Sequence, residues 1–581
     1  METAFEGQIS DQGQNPLTEH ILEQGQLTIE GQNQKITVAR VDHLPIVACY
    51  LRKLGLVQIV NGLVPVDMEV EPGIIFLGLV LDTLSGRSPL YHLQAAFEEY
   101  DRELLFGQNI PAGYFSDDNV GRVMDHVYEV GTQKIFSALT VSAMKQFSLS
   151  TEHVHFDTTS VNVHGEYLNS ASDSSPFEIT HGHSKDHRPD LKQFVLSLLC
   201  VGGDVPIIGK LEDGNASDKK INNSVLSDIS KHINKHGIAS DGYIYVADSA
   251  MVTKANLELA NRFITRLPAT YNECERAIMS AIDEDQWVDV GCMAMSPGTE
   301  KRPNAKYRVN EQEIILYDKK YRAIVVHSSA HDKRRQKRLG RDINKSLKKL
   351  NSAAKKYGRR TFSCRADAEG GLKELMTEAS DYHHFETETV ECPRYSRGRP
   401  KPGVTRVPIS IDYKLSIKVV ENEQEITRRR KMSGCFVLLT NVEPDWSDGY
   451  DAERILATYK EQYGIERNYG FLKDPKIVNA IFLKKPERIE ALGLVLLISL
   501  LAWRLMENTM RTELKAKDGT IRGWDNKPTK RPTSYMVTWK FKGIMIVRVG
   551  GRPQLGRPLS EIQKAFLEIL KVPVSCFTGD G

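Results

Sequence analysis

The sequence predicts an α/β fold in which a mixed core follows an all-α domain and is interrupted by a long insertion. Residues 43–148 carry apolar side chains at helical spacing. From residue 151 the pattern changes to short apolar strands and helices in the order β-β-β-α-β-α-β. The 217 residues between Asp248 and Glu466 far exceed a normal connection, so they predict an inserted subdomain.

Length and composition indicate a soluble protein of several domains. A chain of 581 residues is too long for one ordinary core. The longest apolar run, Ala491–Trp503, has 13 residues, so it predicts a buried helix and not a membrane span. The N-terminus lacks the apolar stretch of a signal peptide. Eight scattered Cys without a CxxC motif argue against structural zinc and disulfides, which indicates a reduced, cytoplasmic setting.

The first 150 residues divide into a tail and a helical domain. Residues 1–35 are rich in Gln, Gly and Glu and predict a mobile tail, with a short strand near Gln26–Ile29. Residues 36–150 predict a helical domain in which Ser116 caps one helix. Its predicted helices are Ile46–Leu54, Gly73–Leu84, Pro89–Glu99, Asp117–Val130 and Thr132–Phe147. Such a domain is compatible with DNA or partner binding and equally with a plain scaffold.

Two acids end apolar strands in the first part of the core, residues 151–271. The alternating strand HVHFD ends in Asp157, and the strand YIYVA is followed by Asp248. Strand ends of a mixed sheet are where sites gather, although each Asp alone is equally a turn residue. The other predicted elements here are the strands Phe194–Val201, Val205–Lys210 and Phe263–Leu267 and the helices Asp218–His236 and Thr253–Arg262.

A third acid lies on a later helix, YKEQYGIERNYGFLK, within the second part of the core, residues 433–510. The stretch predicts one helix that begins near Ser447 or Asp448 and ends before a proline. Tyr459, Glu466 and Lys473 are seven residues apart and share a face, with Gln462 beside them. The face fits a cation and an anionic partner together, but a solvated face with chance spacing has about even odds.

The insertion, residues 272–432, predicts a β-rich and basic subdomain. Between Asp332 and Arg360 there are 13 Lys or Arg and two acids, most of them on a predicted helix, Ala330–Lys356. Such a block, like the basic Arg428–Lys431, is a candidate phosphate surface. Its first basic residues are Lys333, Arg334 and Arg335. The strands expected in and after this region are Trp287–Asp289, Lys306–Val309, Glu313–Tyr317, Arg322–Val326, Lys414–Val420 and Cys435–Thr440.

Three other segments carry alternative interpretations. Arg397 and Arg399 lie in RGRPKPG, which resembles an AT-hook for A·T-rich minor grooves and equally a basic linker. The C-terminal appendage, residues 511–581, predicts strands Tyr535–Trp539 and Ile544–Val549 and a helix Ser560–Leu570, packed on the core or touching DNA.

The third segment is the loop that carries His181, His183 and His187. This spacing admits a zinc site, but the absence of a nearby Cys favours a loop that opens the second strand of the core. Lys185, Arg188 or Asp190 would then line the site. We expect His153 and His155 to be ordinary strand residues.

These motifs together resemble a DDE transposase with an RNase H-like core, of the IS-four superfamily of bacterial insertion sequences. The family's helix signature is Tyr-x2-Arg-x3-Glu-x6-Lys, and Tyr459, Glu466 and Lys473 are in register with it. Gln462 stands where the family has Arg. The segments GHSKDHRPDLKQ, DGNASDK, FITR and RIEALGLVLLISLLAWRL are also similar. The resemblance covers most of the chain and fits the branch with a helical N-terminal domain and a long insertion.

The resemblance implies that Asp157, Asp248 and Glu466 hold two Mg²⁺ ions, for which Mn²⁺ could substitute, and cut and join DNA. It implies binding of double-stranded insertion-sequence ends and target, with Tyr459 and Lys473 among the contacts. It further implies a homodimer on paired ends, no membrane, and a cytoplasmic, nucleoid-associated location. Two alternatives remain open: an RNase H-fold nuclease without strand transfer, and a decayed DNA-binding remnant, which the departure at Gln462 supports.

Overall fold

The structure, a computed structural model, describes residues 19–21, 27–31, 34–165, 167, 175–202, 204–235, 242–294, 298–300, 302–398, 405–474 and 483–579. The fold of these residues is mixed α/β. Strands and helices are numbered separately along the chain.

The strands are β1 (Glu19–Ile21), β2 (Leu27–Gly31), β3 (Gln34–Arg40), β4 (His153–Val163), β5 (Lys192–Val201), β6 (Val205–Glu212), β7 (Ile244–Ala247), β8 (Phe263–Arg266), β9 (Val288–Cys292), β10 (Lys306–Leu316), β11 (Lys319–Ser328), β12 (His383–Arg394), β13 (Ser410–Glu421), β14 (Cys435–Thr440), β15 (Ile521–Arg522), β16 (Pro528–Thr529), β17 (Met545–Val549) and β18 (Arg552–Leu555).

The α-helices are α1 (Leu44–Leu54), α2 (Leu56–Leu63), α3 (Pro72–Ser85), α4 (Leu93–Glu98), α5 (Arg102–Phe106), α6 (Asp117–Val130), α7 (Thr132–Phe147), α8 (Asp218–Lys235), α9 (Lys254–Leu259), α10 (Asn272–Glu284), α11 (Ser329–Gly358), α12 (Arg365–Met376), α13 (Glu423–Met432), α14 (Ala452–Glu461), α15 (Tyr463–Leu472), α16 (Pro486–Ala516), α17 (Ser534–Lys540) and α18 (Glu561–Leu570).

The chain divides into two compact units. The first contains Met1–Phe263 and Lys460–Gly581, and the second contains Ile264–Tyr459. The predicted insertion, residues 272–432, falls inside the second unit. The three acids singled out by the sequence all belong to the first unit, although Glu466 follows Asp248 by more than two hundred residues.

The N-terminal part of the first unit is helical from α1 to α7, as predicted, with Ser116 capping α6 through a bond from the Asn119 N–H. The prediction omitted the short helices α2 and α5. Helix α16 packs against α3, α6 and α7 on one side and against β6. It is apolar nearly all round because it lies inside this unit.

By length and composition alone, α16 could cross a membrane, but 89% of its most apolar window is buried inside the protein. Two bent helix pairs, α1–α2 and α3–α4, pass the same test only if each pair is counted as one span. This burial is compatible with a protein that lies outside the membrane.

Four neighbouring strands of a mixed sheet lie in the first unit in the order β6-β5-β4-β7. Strand β5 is antiparallel to both β4 and β6, whereas β4 and β7 are parallel. A second sheet of this unit has the order β1-β2-β3-β17-β18, so the C-terminal appendage pairs with β3. The appendage therefore packs on the N-terminal part of its own unit.

The second unit contains the strand order β8-β14-β11-β10-β9 and a long hairpin of β12 and β13. The two strands predicted at Lys306–Val309 and Glu313–Tyr317 are one strand, β10, because it pairs with β11 without interruption. The basic helix α11 runs for 30 residues and buries a stripe of Leu339, Ile343 and Leu350. Its basic side chains cover the remaining faces.

The predictions for Tyr535–Trp539 and for the cap of α14 are wrong. Tyr535–Trp539 was expected to be a strand but lies in α17, because Ser534 begins a helix there, its N–H donating to Glu507 and its hydroxyl to the Trp503 carbonyl. Neither Ser447 nor Asp448 caps α14. The Arg454 N–H instead donates to Asp451, which directly precedes the helix.

Candidate active site

Two acids lie side by side on neighbouring parallel strands. The register pairs His155 of β4 with Val246 of β7. Two residues further along, Asp157 lies beside Asp248, the residue that directly follows the end of β7. Neighbouring strands are about 4.8 Å apart, and residues two apart share a face. The structure therefore brings together the first two acids that the sequence singled out.

The position of Asp157 differs from the prediction of a strand end. Strand β4 continues to Val163, because β5 pairs with it from Val154 to that residue. The site exists because β7 stops after four residues while β4 goes on. The pairing of β4 with β7 ends at His155 and Val246, two residues before the two acids.

A third acid, Asp218, joins this pair at the start of α8. Its Oδ1 accepts a hydrogen bond of 2.6 Å from the Thr158 hydroxyl. Electrostatic interactions connect it with both Asp157 and Asp248. The sequence contained it in the segment DGNASDK, but an Asp in the first turn of a helix is ordinary, so no local signal marked it.

Lys185 is the basic residue of this site. Its Nζ donates to the carbonyl of Thr158 at 2.6 Å and to the hydroxyl of Thr158 at 2.9 Å, and it lies 3.7 Å from Asp218 Oδ2. Its backbone N–H donates to the hydroxyl of Ser160 at 2.9 Å. Thr158 and Ser160 thus orient Lys185 and Asp218. We call Asp157, Asp248, Asp218 and Lys185 the acid cluster.

The acid cluster carries more negative than positive charge. Burial raises the pKa of Asp157 to about 7, and Asp248 and Asp218 add to the rise, whereas Lys185 and the Thr158 N–H oppose it. Burial also raises the pKa of Asp248, with Asp218 adding to it. Like charges and burial both disfavour ionised carboxylates, so a bound cation would relieve this site.

Glu466, the third predicted acid, lies on the helix next to the cluster but outside it. The predicted single helix is broken at Gln462 into α14 and α15, and α15 packs against β4. Tyr469, one turn after Glu466, is buried, and burial followed by the charge of Asp157 raises its pKa well above the usual value. Glu466 is exposed, and its carboxylate makes no hydrogen bond or ion pair with the described residues.

Lys473 reaches the loop that carries Lys185. Its Nζ lies 2.8 Å from both carboxylate oxygens of Asp186, the neighbour of Lys185. Gln462 is half-buried at the junction of the two helices, and Tyr459 is half-buried on α14. Two of the predicted DNA contacts, Lys185 and Lys473, therefore meet at one loop.

The remaining predicted DNA contacts lie on exposed surface. Arg188 makes a two-point hydrogen bond to Asp190. Lys333, Arg334 and Arg335 are exposed on α11. Arg397 is exposed beyond the end of β12, whereas Arg399 and the other residues of the predicted AT-hook that follow Gly398 lie outside the described residues.

The loop histidines do not form a metal-binding set. Within the part of the chain that the structure describes, His181, His183 and His187 have no three-ligand arrangement. The set that does have one is His153, His155 and Glu461. The two strand histidines, expected to be ordinary strand residues, are thus the ones with metal-ligand geometry.

A second buried group of acids lies elsewhere in the same unit. Asp204 accepts from Arg467 at 2.6 Å and from Arg511 at 3.2 Å. Glu507 accepts from both Arg504 and Arg511 at 2.6 Å. We call these five residues the arginine cluster. Burial by itself would raise the pKa of Glu507, but the arginines outweigh burial and lower it.

Comparison with known proteins adds one finding. Residues 36–141 match a family described as a domain of unknown function, DUF4277, which is found in transposase-like proteins. A search of curated proteins found no match. The matched region is the helical part of the first unit and ends before the acid cluster begins.

Proposed function

We propose that this protein is a DDE transposase that cuts DNA at insertion-sequence ends and joins the freed 3′-hydroxyls to target DNA. The observation that carries the proposal is the acid cluster, in which acids from two parallel strands and a helix start meet with one lysine. The match of residues 36–141 to a domain found in transposase-like proteins supports the same conclusion.

The residues of the cluster fit divalent magnesium. Mg²⁺ prefers oxygen ligands, and carboxylates whose pKa is raised by burial and by each other gain most from a cation. Asp157 and Asp248 would hold two ions, with Glu466 completing the set. When bound, a pair of ions activates the attacking oxygen and neutralises the leaving one. Mn²⁺ has the same preference for oxygen and could substitute.

The protein's own residues position the reacting groups. Thr158 fixes Asp218 and Lys185, so the lysine ammonium stays next to the acids. A DNA phosphate entering here would exchange the bond between Lys473 and Asp186 for a bond to itself. The two lysines that meet at this loop then hold the DNA backbone beside the carboxylates by charge, without reading its sequence.

The proposal includes an RNase H-like core in the first unit. The order β6-β5-β4-β7, with β4 parallel only to β7, supports it because this arrangement sets two acids side by side. It also includes double-stranded DNA as partner, a homodimer on paired ends, and a cytoplasmic location on the nucleoid. The N-terminal helical region and α11 would supply further DNA contacts.

Helix α11 gives this proposal a binding test. Lys333, Arg334, Lys337, Arg341 and Lys345 make no ion pair with an acid among the described residues. Neutralising these five as Gln should weaken DNA binding and flatten its salt dependence, by about 0.9 in slope for each phosphate that is no longer neutralised. The control neutralises three residues that are paired with acids, Arg338, Lys349 and Arg360. It should reduce the salt dependence of binding less for each charge removed. An unchanged slope would remove α11 from the DNA interface.

Metal-dependent cleavage and strand transfer test the function itself. Purified full-length protein is incubated with the inverted repeats that flank its gene, with and without Mg²⁺, and then with pre-cut ends bearing a 3′-hydroxyl. Joining to a target plasmid supports the transposase. Cleavage without joining supports the nuclease alternative, and no metal-dependent nicking by the native protein supports the decayed remnant. Asp118→Asn neutralises an exposed acid on α6 and serves as the control for neutralising an acid outside the acid cluster; it should cleave like the wild type.

A further inference from the structure

Three potential metal ligands meet beside the acid cluster, between β4 and the residue before the break at Gln462. His153 and His155 are two residues apart on β4 and therefore share a face. Glu461 Oε2 lies 2.9 Å from His153 Nδ1 and 3.5 Å from His155 Nε2. One ligand atom from each of the three residues lies within 4.8 Å of the others.

The surroundings of His155 point to a ligand. The side chain is fully buried, and neither ring nitrogen has a hydrogen-bond partner among the described residues. A buried polar group without a partner destabilises the folded protein, so such groups in native proteins call for an explanation. His155 Nε2 lies 3.5 Å from Glu461 Oε2, a distance too long for a good hydrogen bond.

We propose that His153, His155 and Glu461 bind one divalent transition-metal ion of the zinc type, at a site separate from the acid cluster. Two imidazoles and one carboxylate are a ligand set of zinc sites that keep the fourth position for water. Imidazole selects such ions over Mg²⁺, which prefers oxygen. The ion gives the buried nitrogen of His155 the partner that it lacks.

The distances fit a tetrahedral ion. Bonds of about 2.0–2.1 Å at tetrahedral angles place neighbouring ligand atoms about 3.3 Å apart. The two separations from Glu461, 2.9 and 3.5 Å, lie on either side of this value. The two histidines need to approach each other by rotating about their side-chain bonds. Because His155 is fully buried, this adjustment falls to His153, which has 17% of its side chain accessible, and Glu461, with 46% accessible, can follow it.

The ion would connect β4, which carries Asp157, with the last residue of α14, directly before the break that separates α14 from α15 and Glu466. His155 precedes Asp157 by two residues on β4, and Glu461 precedes Glu466 by five residues. A metal bridge here would hold the junction of α14 and α15 against β4 and so restrict the distance between those two acids. This consequence rests on the proposed function, whereas metal binding at the site does not.

Zn²⁺ titration of the full-length protein tests the site. After removal of metals by a chelator, we expect the protein to bind one equivalent of Zn²⁺ by calorimetry, and its melting temperature to rise as Zn²⁺ is added. Replacing Zn²⁺ with Co²⁺ should give the visible absorption of a tetrahedral ion. His153→Gln and Glu461→Gln should each weaken Zn²⁺ binding by about 100-fold or more, since loss of an outer-shell partner alone costs 10–100-fold.

The matched control is His126→Gln, which removes a histidine paired with Glu129 at 3.2 Å on the surface of α6. It should leave the titration unchanged. Asp157→Asn should also keep Zn²⁺ binding, which separates this site from the proposed catalytic one. Failure of DNA cleavage would leave the Zn²⁺ result standing. Absence of Zn²⁺ binding, or equal binding by the wild type, His153→Gln and Glu461→Gln, would overturn the site.

Discussion

The acid cluster and the arginine cluster are both buried groups of acids in one unit, but their charge balance is opposite. The first has three acids and one lysine, and burial raises the pKa of two of its acids. The second has two acids and three arginines, and the pKa of Glu507 falls despite its burial. Helix α15 touches both, since Arg467 belongs to the arginine cluster and Tyr469 lies by Asp157.

The difference in charge balance distinguishes a ligand-binding site from a group of ion pairs that stabilises the fold. In the arginine cluster, nearly every charged oxygen has a guanidinium or N–H partner, so nothing is left for a ligand. In the acid cluster, Asp157 accepts only the Thr158 N–H among the hydrogen bonds described. Buried carboxylates without enough positive partners destabilise the protein unless a bound cation balances their charge. Such carboxylates are therefore typical of functional sites. We therefore expect opposite outcomes when acids of the two clusters are neutralised.

The largest effect is expected for Asp157→Asn and Asp248→Asn. Each removes a carboxylate charge that would hold a metal, and loss of several kcal/mol of transition-state stabilisation lowers cleavage by about 10³-fold or more. The metal-free protein should melt at the same or a higher temperature, because a penalised buried charge is gone. Cleavage assays and thermal unfolding of the same samples measure both. Near wild-type cleavage by either variant would remove that residue from the site.

Glu507→Gln should do the reverse. It leaves Arg504 buried with a neutral partner, and breaking a buried ion pair costs about 3–5 kcal/mol of unfolding free energy. Denaturant unfolding of the variant measures the loss. Glu568→Gln, which breaks an exposed pair with Lys517, is the control and should cost about 0–1 kcal/mol. A loss for Glu507→Gln no greater than the control's would mean that the arginine cluster contributes little to stability.

The next comparison decides between Glu466 and Asp218 as the third ligand. The protein already holds Asp218 through Thr158 and Lys185, whereas Glu466 has no such partner among the described residues. We expect Glu466→Gln to abolish cleavage. Asp218→Asn should reduce it about 10–100-fold, as for residues that orient metal ligands. Cleavage rates at saturating Mg²⁺ rank the two, and the opposite ranking would make Asp218 the ligand.

The sequence predicted those parts of the fold whose signals are local. Helices such as α6 and α7 and strands such as β5 and β7 were placed to within two residues, because periodicity and caps lie inside the segments themselves. Asp248 directly follows β7, as expected from the strand before it, whereas Asp157 was expected at a strand end and lies inside β4. Tyr535–Trp539 was misassigned because aromatic and β-branched residues favour strands until tertiary contacts decide otherwise.

The parts that the sequence did not predict depend on contacts across the chain. Glu461 contacts His153, a residue 308 positions earlier in the chain, and no feature of either segment predicts this contact. Asp218 reaches Thr158 over 60 positions, through the start of an ordinary helix. Arg467 follows Gln462 by five residues, but its guanidinium is bound to Asp204, a residue 263 positions away. Pairing of this kind becomes visible only in three dimensions.

The smallest effect is expected at Gln462, where the chain departs from the signature of the family that it resembles. Arg at this position would give a phosphate a charged, two-point hydrogen bond, about twice as strong as the neutral bond that Gln offers. Arg467 is bound to Asp204, but two described cations, Lys185 and Lys473, meet at the loop beside the acids and could supply that charge. We therefore expect the native protein to be active.

Gln462→Arg should then change end cleavage by only a few fold, because a third charge adds little to two that are already in place. Gln146→Arg, which adds the same charge at an exposed position of α7, is the control for a general electrostatic gain. If Lys185 and Lys473 supply the charge missing at Gln462, a variant in which both lysines are neutralised should cleave poorly. Adding Gln462→Arg to that variant should then increase cleavage strongly. An inactive native protein that Gln462→Arg rescues would instead show that the site has decayed, and that these two lysines do not replace the missing guanidinium.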